Sequence, residues 1–117
     1  MQPDERDVSY LWDIVESAKA AQKFTDGLTY SDFLSNRLVR RGVERELQII
    51  GEAAKRLSDN FKLEFSDIPW GSITGLRNVL VHEYGDVKYE LVWNAVQTRI
   101  PVLINRLSPH LAGRMPD

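Results

Sequence analysis

At 117 residues, with a formal charge of −2, 43% hydrophobic and 27% charged residues, the chain has the make-up of one compact soluble domain spanning 1–117. It has no cysteine, which excludes disulfide frameworks, thiolate nucleophiles and Cys-based zinc sites, and its two histidines, His82 and His110, form no metal-binding pair, so neither metal nor cofactor is expected. No stretch reaches about 18 uninterrupted apolar residues and Met1-Gln2-Pro3-Asp4-Glu5-Arg6 lacks the order of a signal peptide, so no membrane contact and a cytoplasmic location are expected.

Helical periodicity runs through the chain. Val8, Leu11, Trp12, Val15 and Ala18 give one apolar face, predicting a first helix that ends before Thr25-Asp26-Gly27. Ser31 is read as the N-cap of a second helix, whose apolar face starts at Leu34 and Leu38 and continues through Val43, Leu47, Ile50, Ala54 and Leu57. That helix is expected to reach about Ser58, with a break at Asn36 or Gly42. Arg37, Arg41 and Arg45 recur every four residues and form a ridge. The ridge reads either as a solvated face partly neutralised by Glu44 and Glu46 or as a guide for phosphates. Arg45 and Glu52, on one side of the same helix, either orient a site or pair across the bundle.

Asp59 to Asp67 reads as a linker, with Phe61 and Phe65 packing a short turn against the bundle. Ser66 or Asp67 is expected to cap a third helix, with Pro69 in its first turn, where a missing N–H costs nothing. Trp70, Ile73, Leu76 and Leu80 form its stripe, and Gly85-Asp86 stops it. Tyr89, Trp93, Val96, Ile100, Leu103 and Leu107 mark a fourth helix, interrupted at Pro101 by the loss of one backbone hydrogen bond. Trp12, Trp70 and Trp93 fit core or interface packing, and His110 a helix end. The fold expected is all-α, an up-and-down bundle of four main helices with room for short extra ones.

One segment departs from the apolar pattern. Arg77-Asn78-Val79-Leu80-Val81-His82-Glu83-Tyr84 sets an arginine, an imidazole and a phenol on an otherwise apolar helix. On an unbroken helix Arg77 and Tyr84 share a face roughly 10 Å apart, whereas His82 lies about 140° around from Arg77. A frayed helix end, a long reach by the arginine or a second subunit must therefore complete any site that uses both. Two-fold pairing of third helices would bring an Arg and a His from each chain to one cleft. An imidazole that titrates near neutrality and a guanidinium fork suit phosphate chemistry on RNA, which carries its own nucleophile in the ribose 2′-OH.

The Arg-Asn-x-x-x-His-x-Tyr pattern followed by Gly-Asp resembles the Arg-x4-6-His-x-Tyr signature of the HepT-like toxins of the HEPN (higher eukaryotes and prokaryotes nucleotide-binding) superfamily. Glu46–Leu57, Ile68-Pro69-Trp70, Val92-Trp93 and Pro101-Val102-Leu103 resemble the same group, so the similarity covers nearly the whole chain. The resemblance implies a HEPN-like bundle that dimerises through the region of its motif-bearing helix. It further implies a toxin that is a metal-independent endoribonuclease, held in check by a minimal nucleotidyltransferase antitoxin of the MntA type. By this resemblance Arg77 and His82 match the catalytic pair, Asn78 the supporting polar residue, and Tyr84 the hydroxyl that receives AMP. Arg37, Arg41 and Arg45 are candidates for guiding RNA, and a higher assembly with the antitoxin is compatible with the pattern. The competing reading is a non-catalytic nucleotide- or partner-binding module that regulates an adjacent nucleotidyltransferase.

Overall fold

Helix α1, Glu5–Thr25, begins with Glu5 and Asp7 in its first turn and has Lys23 in its last, the charge order that complements a helix dipole. The computed structural model describes residues 5–75 and 89–111. Val8, Leu11, Ile14, Val15, Ala18 and Ala21 form the buried stripe of α1. Beyond Thr25, Gly27 adopts φ +76°, a left-handed turn that a side chain would strain.

Helix α2, Tyr30–Ser35, is capped by Thr29 rather than Ser31. Thr29 Oγ1 accepts from the Asp32 N–H at 3.1 Å and Asp32 Oδ2 accepts from the Thr29 N–H at 3.0 Å, so a reciprocal box fixes the start two residues early. The expected second helix breaks at Asn36, one of the two positions anticipated, and is therefore two helices. Asn36 takes an extended conformation and its Oδ1 accepts from the Val39 N–H at 3.1 Å, which starts α3, Arg37–Arg56. This break resets the helical phase. Phe33 is wholly buried, while Leu34 and Leu38, expected on the core face, are 39% and 83% exposed. Gly42 does not break α3. A Cβ there would lie 3.1 Å from two ring carbons of Phe24, so the glycine lets the end of α1 approach α3.

α3 buries Val43, Leu47, Ile50, Ala53 and Ala54 and ends before Leu57, which is extended. The expected linker then contains a helix of its own. Ser58 Oγ accepts from the Phe61 N–H at 3.1 Å and caps α4, Asp59–Glu64. Asp7, only 4% exposed, accepts from the Ser58 N–H at 2.8 Å and the Ser58 hydroxyl at 2.7 Å, tying the first turn of α1 to the cap of α4. Asp7→Ala removes the charged acceptor of that half-buried N–H and hydroxyl, and a loss of about 1–3 kcal/mol is expected. Urea unfolding with an unchanged slope and a lower midpoint would measure it.

Residues 70–75 are helical and open α5. Neither Ser66 nor Asp67 caps it. Pro69 stands immediately before the first helical residue, and its carbonyl accepts from the Ile73 N–H at 3.0 Å, so both polar residues lie too early in the chain. Asp67 instead receives Arg106 Nε and Nη2, each at 2.9 Å, in a two-pronged pair. Hydrogen bonding to Arg106 holds its carboxyl below the usual value. A depressed carboxyl contributes stability above its unfolded value and loses it as pH falls through the folded one. The difference between wild type and Asp67→Asn is therefore expected to vanish on acidification below the ordinary carboxylate range. It should also be small at neutral pH, because both side chains are about half exposed. Urea midpoints at neutral and strongly acid pH test both statements.

Helix α6, Tyr89–Leu107, continues through Pro101, and a 3₁₀ turn, Ser108–Leu111, closes the described chain. α1 packs along α3 and α6. Leu11, Ile14, Phe33, Val43, Ile68, Ile100, Leu103 and Leu107 lie at the centre of one hydrophobic cluster. The described residues contain no strand, and none of their helices is long and apolar enough to cross a membrane. The result is an all-α, HEPN-like bundle. The Gly85-Asp86 stop and the Leu76 and Leu80 positions fall outside the described residues.

Candidate active site

Arg77, Asn78, His82 and Tyr84 lie outside the described residues. What is described is the framework on either side of them. On the incoming side, Trp70 Nε1 donates to the Phe65 carbonyl at 3.0 Å and Ile73 is buried at 4% exposure, which pins the start of α5. Arg99 Nη1 of α6 donates to Ser72 Oγ, joining α5 to the helix that follows the motif.

On the outgoing side, Tyr89 is the first described residue of α6, five positions after Tyr84. Its hydroxyl donates to Glu44 Oε2 at 3.2 Å, and the Arg40 guanidinium lies 5.2 Å from its ring centroid. Phe33 meets Tyr89 edge-on at 6.1 Å and Trp93 at 5.2 Å, and Tyr30 meets Trp93 at 6.0 Å. Burial against this cluster, and then the Glu90 carboxylate, push the Tyr30 phenol above its usual value. α2 and α3 thus clamp the end of α6 that emerges from the motif. Nothing in the apolar periodicity pointed to Tyr89, Glu44 and Arg40 as a unit, because their contacts span 45 residues of sequence.

Arg37, Arg41 and Arg45 are all exposed on α3. Arg41 faces Glu44 at 3.9 Å. Glu46 Oε2 is buried and has no hydrogen-bond partner among the described residues. Glu52 Oε1 accepts from Gln48 Nε2 at 3.5 Å, within α3. His110 sits in the terminal 3₁₀ turn with its ring edge-on to Phe65 at 4.8 Å, as a helix-end residue. Trp12, Trp70 and Trp93 pack partly buried against the core.

The described residues form an all-helical bundle that holds the chain on either side of the Arg77–Tyr84 octet. The family follows from comparison: the ribonuclease HepT-like model matches residues 14–109, which spans the bundle from α1 to the last turn. A protein of Methanocaldococcus jannaschii named "Putative RNase MJ1380" is 40% identical over 97 residues, 82% of this chain and 89% of the relative. One of Thermococcus cleftensis named "Probable ribonuclease HepT" is 36% identical over 94 residues, 80% of this chain and 86% of the relative. The chain belongs to the HepT-like ribonuclease family, and its enzyme class is endoribonuclease. No solved structure matches it.

Proposed function

We propose that the chain is the toxin of a toxin–antitoxin pair and cuts RNA without a metal. The observation that carries the reading is the Arg77–Tyr84 octet, inside a family match that covers residues 14–109. RNA supplies its own nucleophile. His82 withdraws the 2′-OH proton as that oxygen attacks phosphorus, the P–O5′ bond breaks, and a proton from an imidazole goes to the leaving 5′ oxygen. Arg77 presents a planar fork to the non-bridging oxygens and stabilises their developing charge, and Asn78 supports it. The products are a 2′,3′-cyclic phosphate and a 5′-OH. An unbroken helix would set Arg77 and His82 about 140° apart, and of the ways to complete the site this reading takes the second subunit: the active form is a homodimer, with one His82 serving as base and its symmetry mate as acid.

Tyr84 is the off switch in this reading. An antitoxin nucleotidyltransferase moves AMP from ATP to its phenol, releasing pyrophosphate, and the added bulk and negative charge exclude RNA. The exposed ridge of Arg37, Arg41 and Arg45 guides the strand towards the site. A cytoplasmic location accords with an RNA substrate and an ATP-dependent partner. The test incubates the purified protein with RNA in EDTA and examines the product ends. Cleavage leaving cyclic phosphate and 5′-OH termini supports the reading, and intact RNA sinks it. For the switch, labelled AMP should attach to the wild type and not to Tyr84→Phe; label persisting on Tyr84→Phe moves the acceptor elsewhere.

A further inference from the structure

The structure holds a cleft of about 580 Å³ between the C-terminal turns of α1 and the middle of α6 that the proposed reaction does not use. Lys19, Lys23 and Asp26 line one side, and Val96, Gln97 and Pro101 the other. Lys19 and Lys23 are exposed, and neither has an ion-pair partner among the described residues. They lie one turn apart on one helix face, about 6 Å along the axis, close to the spacing of neighbouring phosphates on a single strand. Pro101 has no N–H to give the Gln97 carbonyl, so an acceptor is left over on a wall of the same cleft. Pro101 is partly exposed and adds a small apolar surface, with Val96 buried beneath at 2% exposure.

We infer that this cleft is a second contact for the RNA strand, holding one nucleotide step away from the point of cleavage. The two lysines take successive phosphates, the Pro101 ring packs against the base between them, and the Gln97 side-chain amide and freed carbonyl meet its polar edge. Asp26 would repel a bare phosphate. Within a strand bound by two lysines, its carboxylate accepts a hydrogen bond from the ribose 2′-OH, which favours RNA over DNA. The inference deepens the ribonuclease reading and rests on it for the identity of the ligand.

Binding tests it without relying on cleavage. A fluorescently labelled single-stranded oligoribonucleotide is titrated by anisotropy onto His82→Ala and onto the same protein carrying Lys19→Gln and Lys23→Gln. The double substitution is expected to weaken binding about 5- to 20-fold and to reduce the salt slope by about 1.4, at about 0.7 for each lost phosphate contact on a single strand. Lys19→Arg with Lys23→Arg should retain the affinity, which excludes a general loss of fold. Equal affinity and equal salt slope in the glutamine variant overturn the inference. So does AMP alone saturating the cleft, seen as shifts of the Gln97 side-chain amide, with no gain for the oligonucleotide, since that makes it a site for free nucleotide. A protein that leaves RNA intact yet loses affinity in the double variant sinks the ribonuclease reading while upholding the cleft.

Discussion

Replacing His82 with alanine is expected to lower RNA cleavage by about 10²- to 10⁴-fold, the usual worth of a positioned acid–base group. The loss should appear in kcat, because proton transfer contributes in the transition state and little to binding the strand. Arg77→Ala should cost about 10²- to 10³-fold, the scale for removing one preorganised donor to a developing oxyanion. Arg77→Lys should recover little of it, since an ammonium cannot match the guanidinium fork. Mixing wild-type and His82→Ala chains discriminates further. If one His82 is the base and its symmetry mate the acid, a heterodimer keeps only one of the two imidazoles, and an equal mixture should fall well below half of the wild-type activity. An equal mixture at half the wild-type activity or above removes the shared site, and variants that cut like the wild type remove the mechanism.

Phe33→Ala is expected to cost about 3–5 kcal/mol, the range for deleting a fully buried aromatic side chain. Phe33 touches Tyr30, Tyr89 and Trp93, so the loss falls on the cluster that holds the first turns of α6. Activity should therefore drop under conditions where the protein is still mostly folded, because Tyr89 lies five residues from Tyr84. Leu38→Ala, at a position 83% exposed, should stay within about 0.5 kcal/mol of wild type. The pair of measurements checks the phase of α2 directly. Comparable costs at Phe33 and Leu38 would return Leu38 to the core face expected from periodicity and contradict the phase reset at Asn36.

The elements most legible in the sequence were those with the longest apolar repeats. Val43 to Leu57 and Val96 to Leu107 are buried as their spacing requires, since four turns of consistent phase leave a helix only one way to cover its apolar stripe. Short elements were harder to read. Thr29 and Asn36 outbid Ser31 and Gly42 as helix punctuation, and side chains that bond a backbone N–H three residues on decide that locally. The six residues of α4 carry too few turns for a period to emerge, and the Ser58 hydroxyl that caps them also donates to Asp7 of α1.

By itself the sequence determined the all-α class, the four main helices, and the Arg77–Tyr84 octet, because helical phase and the order of charged groups are properties of neighbours along the chain. Only the tertiary structure decided that Glu44 and Arg40 grip Tyr89 at the exit of the octet, and that Lys19 and Lys23 face Pro101 across a cleft. Those pairings join residues about 45 to 80 positions apart. Packing of the whole core brings them together, and no local pattern encodes which distant side chains will meet.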